Sequence, residues 1–583
     1  MGSRARWTLP ASDPREIDAL AAALGIGRLA AKVLAHRGLS DPEAARRFLC
    51  PSLDQLFDPL LMRDMARALE RLHRAIRDRE KILIYGDYDV DGTSSVVLLT
   101  KAIEMAGGAA SFHIPHRLRD GYGMRSEVVE CAAASGVRLI VSVDTGIRAA
   151  EVVARANELG IDVIVTDHHL PEAELPPALA VLNPNRKDCS YPDKNLCGAA
   201  VAFKLVQALI GSLSWPEAKV QRVTESFLKL VAIATVADVV PLTGENRVIV
   251  KHGLDGLGAV HNPGLRALLD VSGFSGGRVP SSRQVAFQIA PRLNAAGRMD
   301  TAQAVIEMFL TADAERARAL AQQLHDQNAE RQQVEAEIRE ACEQAEVDET
   351  AAALVYYAEE WHRGVLGIVA SRMVERLHRP VFVLSRNPED GLAQGSGRSI
   401  AGFHLLEALE SMPDLFVRFG GHQHAAGVTL AAERVEEFRG RLNAYAAARL
   451  TPEHFQRELR IDGVIHFREI TERAIGEVFQ LAPFGRENEV PLFAVLNAEV
   501  AGSPAPWNEK HLRVILRDEG RSLALKAWNF AERAAELPSG ARVDAVVSLE
   551  EDAYAAARGL PAWTAVLRDV RAANTVERAA TVG

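Results

Sequence analysis

The stretch that most constrains how this chain folds is Lys81–Ser95, KILIYGDYDVDGTSS. Lys81–Tyr85 is β-branched and apolar and has strand length. It stops at Gly86 and is followed by carboxylates at every second position, Asp87, Asp89 and Asp91. Beyond them Val96–Met105 repeats its apolar residues at helical spacing, behind Thr93 or Ser94 as N-cap. The reading is strand, acidic turn, helix, with three acids at the carboxyl end of the strand. Carboxylates that close repel one another, and a raised pKa, full solvation or a bound cation relieves the repulsion. Asp-Tyr-Asp-Val-Asp-Gly matches the start of a helix-loop-helix calcium loop, but the twelfth position, which needs a bidentate Glu, is Leu98, and the entering element is a strand.

The chain then alternates. Ala110–Ile114 reads as strand, Ser126–Ala134 as helix, Leu139–Asp144 as strand, Ala149–Leu159 as helix and Asp162–Thr166 as strand. This spacing implies an α/β fold with a doubly wound parallel sheet, in which ligands gather beyond the carboxyl ends of the strands. Those ends carry Asp144-Thr145-Gly146 and Asp167-His168-His169, and the apolar run Leu230–Val236 leads to Asp238. A single Asp or His there is ordinarily a cap or a turn residue; four converging segments are not all caps. A mixed Asp/His set suits Mn²⁺, and Mg²⁺ with water completing the shell. Bridging carboxylates in a set this large can hold two metals about 3.5–4 Å apart, the arrangement used for phosphoryl transfer. Phosphoester hydrolysis is therefore the expected chemistry. There is no Gly-x-x-x-x-Gly-Lys-[Ser/Thr] loop and no strand-linked Gly-x-Gly-x-x-Gly, so triphosphate motors and dinucleotide enzymes are not supported.

Composition adds bounds. At 583 residues the chain exceeds one core, and three or four domains are expected; 48% hydrophobic and 25% charged residues are ordinary for a globular protein. Five scattered cysteines without a Cys-x-x-Cys pair suggest neither a disulfide framework nor a structural zinc site. The N-terminal residues lack an apolar signal core, and Leu228–Leu242 is too short and too charged to span a membrane, so a cytoplasmic protein is expected. A net charge of −10 argues mildly against a sequence-independent polyanion binder, although a cleft can hold a positive local field.

At Asp167-His168-His169 the chain resembles the DHH phosphoesterase superfamily, and within it the single-strand-specific 5′-to-3′ DNA exonucleases. IYGDYDVDGTSS, SVDTG, TDHH and ATVADVVPL resemble the four family motifs. RLRDGYGM (117–124), LNPNR (182–186), PRLNAAGRMD (291–300), WHRGVLGIVASR (361–372), GSGRS (395–399), RFGGHQHAAG (418–427) and LAPFG (481–485) match further. The resemblance implies that Asp89 and Asp144 hold one Mn²⁺ or Mg²⁺ ion, supported by Asp87. Asp91, Asp144, His168 and Asp238 would hold the other, with Asp144 as the bridge. His169 would face the scissile phosphate. Arg117, Ser396 and Arg398 would hold a 5′-phosphate, and Arg292 and Arg298 would grip the strand. A supporting role for Asp87 and a capping role for Asp167 at a following helix stand beside direct ligation.

Ala312–Glu346, without Gly or Pro, reads as one long helix connecting two lobes. Leu354–Tyr357, the helix Val365–Leu377 and Val381–Leu384 begin a second α/β unit, which resembles the DHH-associated domain. Its Gly-rich segments, including Gly420, Gly421 and His422, could bring N–H groups to a phosphate or could simply turn the chain. From about 455 short apolar alternations replace helical spacing and suggest a small barrel, an OB-fold by the resemblance. There Phe484, Trp507, Trp528 and Trp563 either stack bases or fill the core. The expected division is an N-terminal helical region to 75, a phosphoesterase domain at 76–311, the connecting helix at 312–346, the associated domain at 347–450 and the OB-fold at 455–575. The resemblance implies single-stranded DNA as substrate in repair and recombination, a helicase and a single-strand-binding protein as partners, and a monomer. Within the superfamily, a phosphodiesterase for short oligonucleotides or cyclic dinucleotides is the rival enzyme; a non-catalytic strand-binding scaffold is the rival of another class.

Overall fold

The computed structural model describes residues 5–573 apart from 10–12, 118, 122, 346–347, 349, 388–389 and 557. The expected ends of the connecting helix at 346 and of the tail at 574–575, and Leu118 and Tyr122 of the RLRDGYGM stretch, lie outside the described residues. The chain divides into two compact units. One joins the described residues up to 52 with those from 456 onward; the other is 53–455.

The first unit opens with strand β1 (Arg6–Thr8) and helices α1 (Pro14–Leu24), α2 (Arg28–His36) and α3 (Pro42–Leu49). Asp13 and Asp41 cap α1 and α3, each followed by a proline at the first helical position, which has no N–H to leave unpaired.

In the unit 53–455, helix α4 (Met65–Arg77) precedes the alternation β2 (Lys81–Tyr85), α5 (Val90–Met105), β3 (Ala110–His113), α6 (Ser126–Ala134), β4 (Val137–Val143), α7 (Ala150–Glu158), β5 (Asp162–Thr166) and β6 (Ala180–Leu182). The five strands are parallel in the order β3-β2-β4-β5-β6. Side-chain alternation assigns the two faces. Ile82, Ile84, Leu139, Val141 and Ile164 enter one core, while Leu83, Tyr85, Ile140, Val163 and Val165 enter another. Both faces are covered, as a sheet of near-continuous apolar strands requires. The strand order reverses between β2 and β4, so the crevice where ligands bind opens beyond the carboxyl ends of these two strands.

The structure corrects one boundary in this region. Helix α5 begins at Val90, with Asp89 rather than Thr93 or Ser94 as N-cap; its side chain accepts from Gly92 N at 3.0 Å. The acidic turn is thus half helix. Gly92 permits this, because a Cβ there would sit 2.6 Å from the Asp87 backbone.

Helices α8 (Gly198–Gly211), α9 (Glu217–Ala237), α10 (Gly244–Gly256), α11 (Pro263–Val271), α12 (Ser282–Gln284), α13 (Ala290–Met299) and α14 (Gln303–Leu310) complete this lobe. The 31-residue α15 (Ala314–Gln344) leads to the second lobe. There β7 (Leu354–Ala358), α16 (Leu366–Leu377), β8 (Val381–Arg386), β9 (Ala393–Arg398), β10 (Phe416–Gly421) and β11 (Ala425–Leu430) build a mixed sheet in the order β10-β11-β9-β8-β7. Gly395 and Gly397 lie in β9 where a Cβ would meet Val383 O at 2.1 Å and the Phe382 ring at 2.4 Å.

The tail of the first unit is a seven-stranded sheet. Its main strands are Leu492–Val500, His511–Asp518, Arg521–Ala527, Arg542–Glu551 and Trp563–Ala572. Its core takes Phe467, Ile475, Val495 and Val547 together with Ile17, Leu20, Leu29 and Leu34 of α1 and α2. β1 pairs in parallel with Glu458–Arg460. The four aromatics divide. Phe484 and Trp563 pack against the core, whereas Trp507 and Trp528 meet with centroids 4.8 Å apart and ring planes tilted by 48°, and Trp528 is 41% exposed. Among the described residues no helix is long and apolar enough to cross a membrane.

Candidate active site

Three adjacent parallel strands and two helices deliver the acids, Asp91 coming from the first turn of α5. β2 ends in the turn of Asp87 and Asp89, β4 ends at Asp144, β5 runs into Asp167-His168-His169, and Asp238 caps the C-terminus of α9. Asp144 adopts the left-handed backbone region at φ 58°, which turns its carboxylate off the strand axis. His168 Nε2 lies 3.4 Å from Asp144 Oδ1, 3.7 Å from Asp238 Oδ2 and 3.8 Å from Asp91 Oδ2. Ligand atoms of Asp87, Asp89 and Asp144 lie within 4.8 Å of one another, as do those of Asp91, His168 and Asp238. Asp144 belongs to the first group and neighbours the second through His168.

The electrostatics of the cluster call for cations. Burial, then the charges of Asp91, Asp89, Asp87 and Asp238, push Asp144 well above the usual carboxylate range. Burial and Asp89 push Asp87 up to about 8. Asp91 is raised chiefly by burial, and burial holds His168 below its ordinary value. Asp87 Oδ1 is buried and accepts no hydrogen bond. Buried carboxylates so arranged, with neutral imidazole beside them, fit a pair of divalent ions bound through oxygen and nitrogen.

Asp91 is 2% exposed and is held differently from its neighbours. Its two oxygens accept from Gly198 N at 2.6 Å and Ala199 N at 2.8 Å, the first N–H groups of α8. A helix N-terminus stabilises a carboxylate there. Gly198 is required for the approach, since a Cβ would stand 2.4 Å from Asp144 Oδ1. Sequence reasoning did not find this support; the only signal was the small-residue helix start Gly198-Ala199-Ala200.

Asp167 does not cap a following helix, because the next named element after it is strand β6. It is fully buried and accepts from Ile147 N (3.0 Å), His168 N (2.7 Å), His169 N (3.1 Å) and the His169 ring Nδ1 (2.7 Å). Burial opposes its ionisation, but the His169 bond and charge prevail and keep its pKa low. Burial likewise opposes protonation of His169, and Asp167 overcomes it, raising the imidazole above its ordinary value. The carbonyls of His168 and His169 accept from Asn185 Nδ2 (2.7 Å) and Asn183 Nδ2 (2.9 Å). Asn294 on α13 accepts from Val90 N at 3.0 Å, pinning the start of α5. LNPNR and PRLNAAGRMD thus hold the histidine turn and the acidic turn.

A cleft of about 1040 Å³ opens beside the cluster, lined on one side by Tyr88, Arg117 and His169 and on the other by Ser396, Gly420, Gly421 and His422. Arg117, Arg298 and Arg398 act on one another electrostatically. Burial and then the charges of Arg117, Arg331 and Arg398 bring Arg298 down to about 9, and burial and Arg117 lower Arg398. Arg298 donates to Gly364 O at 3.3 Å and Arg398 to Gly397 O at 2.8 Å. Cations crowded this way suit an anion. Arg292 is not part of this group; its Nε donates to His325 Nδ1 on α15 at 3.1 Å.

Comparison with known proteins decides the family. The model for the N-terminal domain of the DHH family matches 81–235, the DHHA1 domain matches 350–448 and the RecJ OB domain matches 461–560. The single-stranded-DNA-specific exonuclease RecJ of Bacillus subtilis (strain 168) is 38% identical over 551 residues, covering 94% of this chain and 68% of the relative. The chain belongs to the RecJ family. The RecJ of Escherichia coli (strain K12) is 37% identical over 476 residues, 78% of this chain and 81% of that one. RecJ of Thermus thermophilus solved with Mn²⁺ superposes with a TM-score of 0.83 at 32% identity, covering 98% of this chain and 80% of that chain. The same protein with Mg²⁺ gives 0.78 at 30% identity, with 98% and 79% covered. In this chain the Asp and His groups are positioned for binding divalent metal of that kind.

Proposed function

We infer that this chain is a metal-dependent exonuclease specific for single-stranded DNA, removing 5′-mononucleotides in the 5′-to-3′ direction in repair and recombination. The observation that carries the reading is the set of Asp and His groups gathered around Asp144 and His168, beside a cleft lined by Arg117, whose charge acts on Arg298 and Arg398. It agrees with the activity that the curated relatives are named for.

In this reading Asp89 and Asp144 hold one ion, with Asp87 beside them, and Asp91, Asp144, His168 and Asp238 hold the other. Bound there, the two ions supply an activated water and stabilise the leaving oxygen. The chain's own groups position the strand. Arg117, Ser396 and Arg398 take the terminal 5′-phosphate, Arg298 strengthens the field behind them, and Gly420, Gly421 and His422 let the backbone approach close the other wall. His169, whose protonated form is favoured by Asp167, faces the scissile phosphate and stabilises charge growing on its oxygens. A fixed seat for the terminal phosphate sets the phosphodiester that meets the metal cluster, so nucleotides leave one at a time. The metal residues fall within 76–311 and the phosphate wall within 347–450, joined by the connecting helix, while the 455–575 domain gives the strand a further hold. A helicase and a single-strand-binding protein supply that strand.

The test is digestion of 5′-labelled single strands, duplexes and dinucleotides by the wild type and Asp144→Ala, with and without Mn²⁺ or Mg²⁺. Metal-dependent release of mononucleotides from single strands, lost in the variant, is expected. Digestion of dinucleotides alone would refute the strand-specific reading, and equal cleavage of circular single strands would refute the end-anchoring pocket.

A further inference from the structure

The metal-lobe wall of the cleft carries one cation that the terminal-phosphate group leaves without a role. Arg148 stands four residues beyond Asp144, on the turn that leads into α7, and lines that wall. Its side chain is exposed yet anchored: Nε and Nη2 both donate to Leu170 O, at 3.3 and 3.1 Å. That carbonyl belongs to the residue following His169, so the anchor ties the guanidinium to the histidine turn. Two donors on one carbonyl leave Nη1 and the second Nη2 proton free to meet a ligand. Across the cleft lies His422 from the second lobe. Burial lowers its pKa, and the nearby charges of Arg148, His169 and His404 lower it further. Among the described residues no carboxylate bonds Arg148, unlike Arg155 on α7, which is paired with both Glu130 and Glu158. An exposed arginine paired with no carboxylate among the described residues, with Arg418 and His422 lining the opposite wall, offers an anion entering the cleft a charged seat.

We propose that Arg148 is a strand-positioning residue that grips an internal backbone phosphate of the single strand at the metal-lobe wall, separate from the terminal-phosphate residues Arg117, Ser396 and Arg398. This rests on the exonuclease reading. The grip has a physical use. A terminal anchor alone lets the strand swing about its 5′ end, whereas a second phosphate held on the histidine turn fixes the direction in which the strand leaves the metal cluster.

The experiment measures binding and turnover separately. Affinity of fluorescein-labelled oligothymidylate is followed by anisotropy in EDTA, where no cleavage occurs, across a salt series for the wild type, Arg148→Ala and Arg148→Lys. Loss of one charge-assisted contact weakens binding by about tenfold. Losing one phosphate contact also reduces the slope of log affinity against log salt by about 0.7. Arg148→Lys keeps the salt slope while losing part of the affinity, because the charge stays and the fork on Leu170 O is lost. With Mn²⁺, Arg148→Ala raises KM with kcat little changed and leaves the preference for 5′-phosphate over 5′-hydroxyl ends intact, whereas Arg398→Ala abolishes that preference.

Unchanged affinity and salt slope in Arg148→Ala overturn the proposal, as does loss of end preference, which would place Arg148 in the terminal pocket. A fall in the Mn²⁺-induced rise of Tm without any change of salt slope would make Arg148 a latch for the histidine turn and also overturns it. Should the wild type itself fail to digest single strands, the exonuclease reading falls; should the wild type digest them and Arg148→Ala behave identically, only this inference does.

Discussion

Gly198→Ala tests how closely the cluster is packed. The added Cβ would lie 2.4 Å from Asp144 Oδ1 and 2.6 Å from its Cβ and Cγ. Ordinary contact begins roughly 1 Å farther out. Asp144 cannot swing aside by rotating its carboxylate, because its own Cβ is among the clashing atoms and its backbone is held at φ 58°. The relief must come from moving the start of α8 or the end of β4. Overpacking of this kind costs about 1–3 kcal/mol. Moving α8 also draws Gly198 N and Ala199 N away from Asp91, where they now stand at 2.6 and 2.8 Å. A shift of about 1 Å in a catalytic constellation lowers turnover by about a hundredfold.

The expected outcome is a fall in kcat of about that size, weaker Mn²⁺ binding by calorimetry and a Tm lowered by a few degrees. Gly211→Ala at the far end of α8 is the control. Nothing lies within 4 Å of a Cβ there, so activity should hold and stability should stay level or rise. Turnover by Gly198→Ala within about threefold of wild type, with unchanged Mn²⁺ affinity, would refute the packing argument.

Three further outcomes follow from the same structure. Asp91→Ala should abolish the rise of Tm on adding Mn²⁺ and leave two helix N–H groups without their acceptor, whereas Asp87→Ala, whose Oδ1 has no hydrogen bond to lose, should retain part of the rise; equal loss would show that both acids ligate alike. Glu245→Ala should cost about 3–5 kcal/mol in urea unfolding, because it strands Lys204, whose Nζ lies 2.6 Å from Glu245 with both side chains wholly buried; a cost under about 1 kcal/mol would contradict this. Burial holds His113 below its ordinary value of 6.5, so the folded state binds fewer protons than the unfolded one and stability should fall as the pH drops through 6.5; replacing it with Asn should flatten the Tm profile there, and an unchanged profile would assign the slope to other histidines.

The legible part of the site was which acids and imidazoles come together. Strand composition, the two-residue spacing of Asp87, Asp89 and Asp91, and acids at successive strand ends are local facts, and in a parallel sheet local facts place side chains at one edge. The start of α5 was misread because Thr93 and Ser94 are good caps in isolation, while Asp89 caps earlier and Gly92 removes the clash that would forbid it. Capping stands beside ligation for Asp167 for the same local reason, yet its four donors come from Ile147 and from the two residues after it.

What the sequence determined by itself was the set of acids brought to the strand ends: a hydrophobic strand cannot bury its carboxyl-end acids together unless a cation or protons neutralise them. What only the tertiary structure decided was how each acid is held. Asp91 rests on the N-terminus of a helix 107 residues away, Val90 N on Asn294 204 residues away, and β1 on a strand near residue 458. Such partners leave no periodic trace in the chain, because a hydrogen bond between distant residues constrains one atom on each side and not a repeating face. The same reason separates two arginines of α13: Arg298, gathered among arginines, and Arg292, turned to His325 on α15.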